Sequence, residues 1–239
     1  MTVIPLSRET HGKKHLKPVT SFEFARNMAV VRILAGEAAQ VALNFPIVFI
    51  NENNTIAPFA LLGLGKEENL FVSDQGQWLA SYVPALLRRY PFFMGKASES
   101  DNLALLIEDT FLSDNEGELL FGPDEGEPKG PVARAIQLLT EIAGQDTRTA
   151  ALTKVFVDNG LIEPFPLQVT RGATSPVNLT GINVINETKL NSLSDDKFLE
   201  LRRSGALGLA YTHLLSMGQI ARLRMLIANR LNKAGAKVN

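Results

Sequence analysis

The fold is decided by two apolar runs that flank a polar turn: Ile47-Val48-Phe49-Ile50, then Asn51-Glu52-Asn53-Asn54, then Ile56-Ala57-Pro58-Phe59-Ala60-Leu61-Leu62-Gly63-Leu64. A short continuous apolar run bounded by turn residues is typical of a buried strand. Asparagine tolerates the left-handed backbone conformation that tight turns require. We therefore predict a β-hairpin over residues 47–64.

The segment that follows the hairpin predicts a helix over residues 79–90. Its larger side chains recur at three- and four-residue spacing, at Val83, Leu86, Leu87 and Tyr90. Pro84 lies near the beginning of this helix, where we expect a missing N–H to be tolerated, and Pro91 ends the helix. Short apolar runs on either side of this helix predict strands at residues 70–72, 92–94 and 103–108.

Helices predominate in the second half of the chain. The spacing of apolar residues predicts helices over residues 131–142, 146–159, 194–203 and 205–231, and Gly160 is placed to end the second of them. Two further strands, at residues 165–171 and 177–185, are predicted to form a second hairpin.

This order of elements, strands first and helices later, favours an α+β fold. We expect an antiparallel-rich sheet of about five to seven strands with helices packed on it and a long C-terminal helix. Residues 1–20 are basic and polar and predict an N-terminal arm, followed by a single domain over residues 21–239. The acidic, Gly- and Pro-containing segment 113–129 is the one candidate boundary within that domain.

Composition excludes several classes of protein. The 239 residues include 24 basic and 25 acidic side chains, so there is no positive excess to neutralise nucleic-acid phosphates. No cysteine is present, which excludes disulfides, thiolate nucleophiles and cysteine-based metal sites. The N-terminal residues lack the apolar stretch of a signal peptide, and polar residues interrupt the longest apolar region, residues 206–228. We expect a soluble, cytoplasmic protein that neither spans a membrane nor binds nucleic acid.

No motif in the sequence specifically indicates a cofactor-binding or metal-binding site. The segment Gly63-Leu64-Gly65-Lys66 lies between strands, whereas a phosphate-binding loop must open a helix. His11 and His15 are four residues apart, but no apolar anchor supports a helix there, so a solvated pair is preferred to a metal site. We predict neither a cofactor nor a metal.

His213 is the histidine most open to a functional interpretation. It lies in the predicted C-terminal helix, two residues after Tyr211. The structural interpretation is a buried imidazole bonded to a backbone carbonyl. The functional one is an acid, base or ligand-binding group in a pocket, since histidine titrates near neutrality. Glu108, at a predicted strand end, is a candidate carboxylate partner.

The segment 78–93 contains the strongest candidate for a binding patch: Trp78, Tyr82, Arg88, Arg89 and Tyr90. Aromatic side chains supply contact area with a polar handle, and arginine pairs bidentately with carboxylates and phosphates. A helix that ends in Arg88-Arg89-Tyr90 would present an anion- or peptide-binding surface. The alternative is that the aromatics belong to the core and the arginines are ordinary cations of a last helical turn.

A resemblance to the SapC family runs through these same residues and covers nearly the whole chain. Its central block comprises Phe59-Ala-Leu-Leu-Gly-Leu-Gly65, Glu68-Asn-Leu-Phe-Val72 and Gly76-Gln-Trp-Leu-Ala-Ser-Tyr-Val-Pro-Ala-Leu-Leu-Arg-Arg-Tyr-Pro-Phe92. Further matching segments are Ser21-Phe-Glu-Phe-Ala25, Phe45-Pro-Ile-Val-Phe49, Gly160-Leu-Ile-Glu-Pro164, Arg203-Ser-Gly-Ala-Leu207 and Tyr211-Thr-His-Leu-Leu-Ser216.

The resemblance implies which family the chain belongs to, but it implies no particular biochemical activity. The family is named from a bacterial surface-layer locus, is distinct from the peptide-transporter permease of similar name, and has no defined biochemistry. Its genes lie near those for outer-membrane receptors and flavin-dependent halogenases, which implies an accessory role. Three hypotheses follow: a non-catalytic protein that binds a small molecule or peptide, an enzyme with a pocket around His213, and a surface-layer-associated structural protein. We prefer the first; the sequence leaves oligomerisation open.

Overall fold

The computed structural model describes residues 2–96, 103–122, 129–170 and 177–236. It contains both helices and antiparallel sheets, which confirms the α+β prediction. The chain divides into two compact units. Unit one comprises Met1–Thr20 and Leu86–Gly144, and unit two comprises Ser21–Ala85 and Gln145–Asn239.

The strands are short, and they alternate with helices and turns along the chain. They are β1 (Val3–Pro5), β2 (His15–Leu16), β3 (Val30–Arg32), β4 (Ile47–Glu52), β5 (Thr55–Leu61), β6 (Phe92–Lys96), β7 (Leu103–Glu108), β8 (Leu112–Ser113), β9 (Glu118–Leu119), β10 (Ile162–Pro164), β11 (Leu167–Val169), β12 (Val177–Leu179) and β13 (Ile182–Ile185).

The helices differ widely in length. They are α1 (Arg8–His11), α2 (Ala38–Ala42), α3 (Ala85–Arg88), α4 (Gly130–Asp158), α5 (Glu187–Asn191), α6 (Asp195–Ser204), α7 (Ala206–Ser216) and α8 (Gln219–Ala236). The long C-terminal helical region expected from the sequence is present as α7 and α8, with a break at Met217 and Gly218.

Unit one is built on two small antiparallel sheets, ordered β1-β7-β6 and β8-β2-β9. The N-terminal segment predicted as an arm supplies a strand to each of them, because β1 pairs with β7 and β2 lies between β8 and β9. Apolar side chains of β6 and β7, of the two residues after β9 and of α4 form the core: Phe92, Ile107, Leu120, Phe121, Val132, Ala135 and Leu139.

Unit two is built on an antiparallel sheet ordered β10-β13-β4-β5-β3. Its centre is the hairpin of β4 and β5, which confirms the prediction over residues 47–64. The turn residues Asn53 and Asn54 have φ angles of 51° and 63°, the left-handed conformation for which asparagine was expected. Phe45, Phe49, Phe71 and Phe156 are among the largest fully buried side chains of this unit.

The helix predicted over residues 79–90 is wrong: only α3, a single turn, is helical there. Polar side chains from elsewhere hold the preceding residues in an irregular conformation. The Ala85 N–H donates to Glu37 Oε2 at 2.8 Å, and the Ser81 N–H and hydroxyl both donate to Asn44 Oδ1. Residues 70–72 also fail to form a strand, since Val72 makes only an isolated bridge with Trp78.

The two helices predicted over residues 131–142 and 146–159 are one continuous helix, α4. Gly144 does not interrupt it, because a single glycine costs a helix only about 1 kcal/mol. Gly160, with a φ angle of 64°, follows the end of α4 as predicted.

The remaining predictions are met in part. Of the predicted hairpin over residues 165–185, β11 pairs with β12, whereas β13 joins the large sheet of unit two; residues 171–176 lie outside the described residues. The segment 113–129 includes β9, and its residues 123–128 are likewise outside them.

Candidate ligand-binding site

Trp78 and Tyr82 contribute to the packing of unit two. Trp78 Nε1–H donates to the Tyr82 carbonyl at 2.8 Å, and its ring lies 5.3–6.2 Å from those of Phe22, Phe45 and Phe71. The Tyr82 hydroxyl donates to Glu37 Oε2 at 2.7 Å. Glu37 is buried and also accepts the Leu34 and Ala85 N–H groups, so its carboxylate organises the surrounding loop.

His213 is fully buried in unit two, where both ring nitrogens bond to the backbone. Nδ1 donates to the Ile47 carbonyl at 2.8 Å, and Nε2 accepts the Ile185 N–H at 3.1 Å. Because the Ile185 amide can only donate, the proton is on Nδ1 and the ring is neutral. Burial lowers the pKa of His213 from 6.5 to about 4, against the opposing effect of the Ile47 hydrogen bond.

A cavity of about 560 Å³ includes His213 in its wall and is otherwise lined mainly by apolar side chains of unit two, including Phe165, Leu167, Val184 and Met217. Its charged lining residues are Glu187 and Arg224. Tyr211, two residues before His213, is 41% exposed. The hydrogen-bonding capacity of His213 is used in joining α7 to β4 and β13.

Arg88, Arg89 and Tyr90 belong to unit one and line a cavity of about 370 Å³ there. Its other charged lining residues are Lys17, Glu118 and Arg134. The apolar part of the wall comprises Leu16, Pro18, Val19, Pro91, Phe92, Pro131, Ala135 and Leu138. As far as the described residues go, the cavity therefore combines an apolar interior with an excess of positive charge.

Arg89 is the distinctive residue of this cavity. Its guanidinium carbon lies 5.2 Å from the centre of the Phe93 ring, and its Nε is buried with no hydrogen-bond partner among the described residues. No ion pair of Arg89 is found in that part of the chain. Burial lowers the pKa of Arg89 below its ordinary value, yet a guanidinium remains charged at neutral pH.

Tyr90 is held in place by a buried carboxylate behind the cavity wall. Its hydroxyl donates to Glu108 Oε2 at 2.7 Å, and the Thr110 hydroxyl donates to Glu108 Oε1 at 2.8 Å. The ring also makes edge contacts with Phe93 and Phe111. Burial, together with the hydrogen bond to Glu108 and its negative charge, raises the pKa of Tyr90, so the phenol is neutral.

The other cations of the cavity differ in how they are neutralised. Arg134 forms an ion pair with Glu118, which raises the pKa of Arg134 and lowers that of Glu118. Lys17 Nζ donates to the Thr110 carbonyl at 3.2 Å, which uses one of its three donors and none of its charge. Arg88 lines the cavity and is exposed to solvent.

The seven residues predicted as a ligand site thus fall into two groups. The structure brings Arg88, Arg89 and Tyr90 together in unit one, while Trp78, Tyr82, Tyr211 and His213 belong to unit two. Sequence reasoning missed Lys17 and Arg134, which lie near β2 and in α4, far from Arg89 along the chain. The basic character of residues 1–20 was the only signal that pointed toward Lys17.

Membrane-spanning helices and metal-binding clusters are both absent from the described residues. No helix in residues 2–96, 103–122, 129–170 or 177–236 is long and apolar enough to cross a membrane. The same residues contain no group of three or more His, Cys, Asp or Glu side chains arranged to hold a metal ion.

The molecule is an α+β protein with a cavity lined by cations. Comparison with known protein families assigns it to one of them. The family model of SapC matches residues 6–223 of the 239-residue chain. The chain belongs to the SapC family. No curated protein matches it, and no solved structure does.

Proposed function

We propose that this protein is a non-catalytic binding or accessory protein whose unit-one cavity takes a small ligand with a carboxylate and an apolar body. The observation that carries the proposal is Arg89, a partly buried cation in the cavity wall with no ionic partner among the described residues. A carboxylate at Arg89 would supply that partner, while the apolar wall would take the rest of the ligand.

The energetics favour an anion at this position. Partial burial of a charge without a partner is unfavourable, and an opposite charge that reaches it with good hydrogen-bond geometry offsets the desolvation. Hydrogen bonds to charged groups contribute about 1.5–3 kcal/mol each. Lys17 adds a second positive charge at the same cavity, and Glu118, the one acidic lining residue in the described part of the chain, is already paired with Arg134.

The chemistry of the site supports binding more than catalysis. The Tyr90 hydroxyl keeps its proton and donates a hydrogen bond to Glu108, so Tyr90 is not an activated nucleophile. The two backbone bonds of His213 give no support to the hypothesis of an enzyme centred on that residue. The surface-layer role and the cytoplasmic location remain proposals that follow from the family name and the cysteine-free sequence.

Binding of N-acetylleucine and of its uncharged amide, measured by isothermal titration calorimetry or ligand-observed NMR, tests the proposal. We expect the carboxylate to bind at least about tenfold more tightly than the amide, which corresponds to about 1.4 kcal/mol. Arg89→Gln should remove that preference because it removes the cation at the wall.

Lys13→Gln is the matched control. Lys13 is an exposed cation of the same unit that does not line the cavity, so its loss should leave binding unchanged. Equal binding of acid and amide by the unmodified protein, or equal loss in the two variants, would show that the cavity is not a carboxylate site.

A further inference from the structure

The strand β6 lies at the edge of the β1-β7-β6 sheet. Glu108 N–H bonds to the Pro91 carbonyl, and the strands are paired so that Phe92 faces Ile107 and Phe93 faces Leu106. In an antiparallel pair the hydrogen-bonded positions alternate, so Phe93 and Gly95 direct their N–H and C=O groups toward β7. Met94 directs both of its backbone groups to the opposite, open side.

The open edge is accessible at its centre. The Met94 residue is 46% exposed, and no described residue outside the β6–β7 pair hydrogen-bonds its backbone. Edge strands in native proteins are commonly protected by charge, proline or a covering element, because their free backbone groups attract another strand. In β6 the only charged residue is Lys96, at the far end of the strand.

The cavity lies at the beginning of this same strand. Pro91 and Phe92 line it, and Arg89, which carries the uncompensated charge, packs its guanidinium on the ring of Phe93 in β6. A chain added antiparallel to β6 would have its C-terminal end beside Phe92. An open strand edge and a cationic apolar cavity are therefore adjacent, in the polarity that brings a chain's C-terminus to the cation.

We propose that the ligand of unit one is the free C-terminal end of a peptide, which adds to β6 as an antiparallel strand. Its terminal carboxylate binds Arg89, and its last side chain, an apolar one, enters the cavity. This inference rests on the proposed carboxylate site and specifies what occupies it. Backbone bonds to Met94 supply affinity, while the cavity and Arg89 supply specificity for the terminus.

The dimensions and charge of the site fit this ligand. A cavity of about 370 Å³ is at the small end of the range for small-molecule sites, about 300–1,000 Å³, and suits one or two side chains. The positive charge of Lys17 at the same cavity favours acidic residues near the terminus. An extended peptide of five residues spans about 17 Å, which is the length of β6.

The test uses pools of fluorescein-labelled hexapeptides with an apolar last residue, prepared with a free C-terminus and as C-terminal amides. Fluorescence polarisation with the full-length protein should show the acids binding at least about tenfold more tightly than the amides. The acid peptides should also bind more tightly than N-acetylleucine does, because their additional residues form backbone hydrogen bonds with β6. Two sets of peptides, each N-methylated at every second amide, test these hydrogen bonds. Methylation of the amides that face β6 should weaken binding, and methylation of the other amides should not.

Met94→Pro removes the N–H at the open edge, where a sheet tolerates proline, and Met94→Thr keeps it. We expect Met94→Pro to weaken the peptide at least about fivefold and to leave N-acetylleucine unaffected, while Met94→Thr changes neither. If Met94→Pro does not fold, the N-methylated peptides test the same hydrogen bonds.

The outcomes separate this inference from the proposed function. Arg89-dependent binding of N-acetylleucine with no gain from longer peptides overturns the strand addition and leaves the carboxylate site. Amidated peptides that bind as tightly as the acids overturn the terminal recognition. Absence of binding by every carboxylate overturns both.

Discussion

His213 in unit two and Arg89 in unit one are the two groups on which functional interpretations of the sequence converged, and their surroundings are opposite. His213 is fully buried, neutral, and bonded through both nitrogens to the backbone of β4 and β13. Arg89 is half-buried, charged, and without an ionic partner among the described residues. The first residue stabilises the fold, and the second has a bonding capacity that the fold leaves unused.

The comparison gives a criterion for reading polar residues in a protein without a catalytic motif. Buried polar groups in native structures are nearly always hydrogen-bonded, so a satisfied group needs no functional explanation. A desolvated charge whose partners are missing does need one, because the fold alone gains nothing from it. By the same criterion Glu37 and Glu108 have structural roles, because each carboxylate accepts hydrogen bonds from within the fold.

His213→Ala is expected to produce the largest effect on stability, a loss of about 3–5 kcal/mol in the free energy of unfolding. The substitution leaves the Ile47 carbonyl and the Ile185 N–H buried without partners and opens a void. Urea unfolding followed by circular dichroism measures the loss. Tyr211→Ala, on the same helix but at an exposed position, is the control, with about 1 kcal/mol or less. Similar losses in the two variants would contradict the structural role of His213.

Acidification should lower the free energy of unfolding through the same residue, by slightly less than His213→Ala does. The pKa of His213 is lowered to about 4 in the fold and is near 6.5 in the unfolded chain, so the unfolded state binds protons first as the pH falls. Its contribution is fully present above pH 6.5 and is lost as the pH falls through 4. The difference amounts to about 3 kcal/mol at about 1.4 kcal/mol per pH unit.

This pH effect is measured as the difference between the unmodified protein and His213→Ala in urea unfolding at pH 7, 6, 5 and 4. The variant should lose less stability over that interval because it lacks the titrating imidazole. Parallel curves for the two proteins would mean that His213 has an ordinary pKa in the fold.

Arg89→Met should have the smallest effect on stability, within about 0.5 kcal/mol of zero, because methionine keeps the apolar contact with Phe93 and removes an unsatisfied charge. Tyr90→Phe, its neighbour, is the comparison, with an expected loss of about 1.5–3 kcal/mol from the hydrogen bond to Glu108. Thermal and urea unfolding give both values. A loss in Arg89→Met as large as that in Tyr90→Phe would assign the guanidinium a structural role.

Local patterns in the sequence predicted the elements that local chemistry determines. The hairpin of β4 and β5 depends on two apolar runs and on the tolerance of Asn53 and Asn54 for positive φ, all within a short segment. The helix over residues 79–90 was predicted from an equally clear pattern and is wrong. Glu37, more than forty positions earlier, accepts the hydrogen bonds that hold Tyr82 and Ala85 in place, and no periodicity reports such a distant carboxylate.

The candidate site was predictable only to the same extent. Arg88-Arg89-Tyr90 stands out in the sequence because charge and aromatic residues are adjacent there. The rest of the cavity comes from residues that only the tertiary structure unites, with Lys17 from the N-terminal segment and Arg134 from α4. The sequence also cannot distinguish Arg134, which is paired with Glu118, from Arg89.

The pairing of β1 with β7 has a consequence for synthesis on the ribosome. Val3 pairs with Glu108, so β1 cannot pair until β7 has been translated, roughly a hundred residues later. This contact has a high sequence separation. At about 5–20 residues per second, that interval is about 5–20 s. The cavity is completed later still, because its wall also includes Arg134 and Leu138 of α4. The nascent chain thus completes this cavity only once translation has passed Leu138.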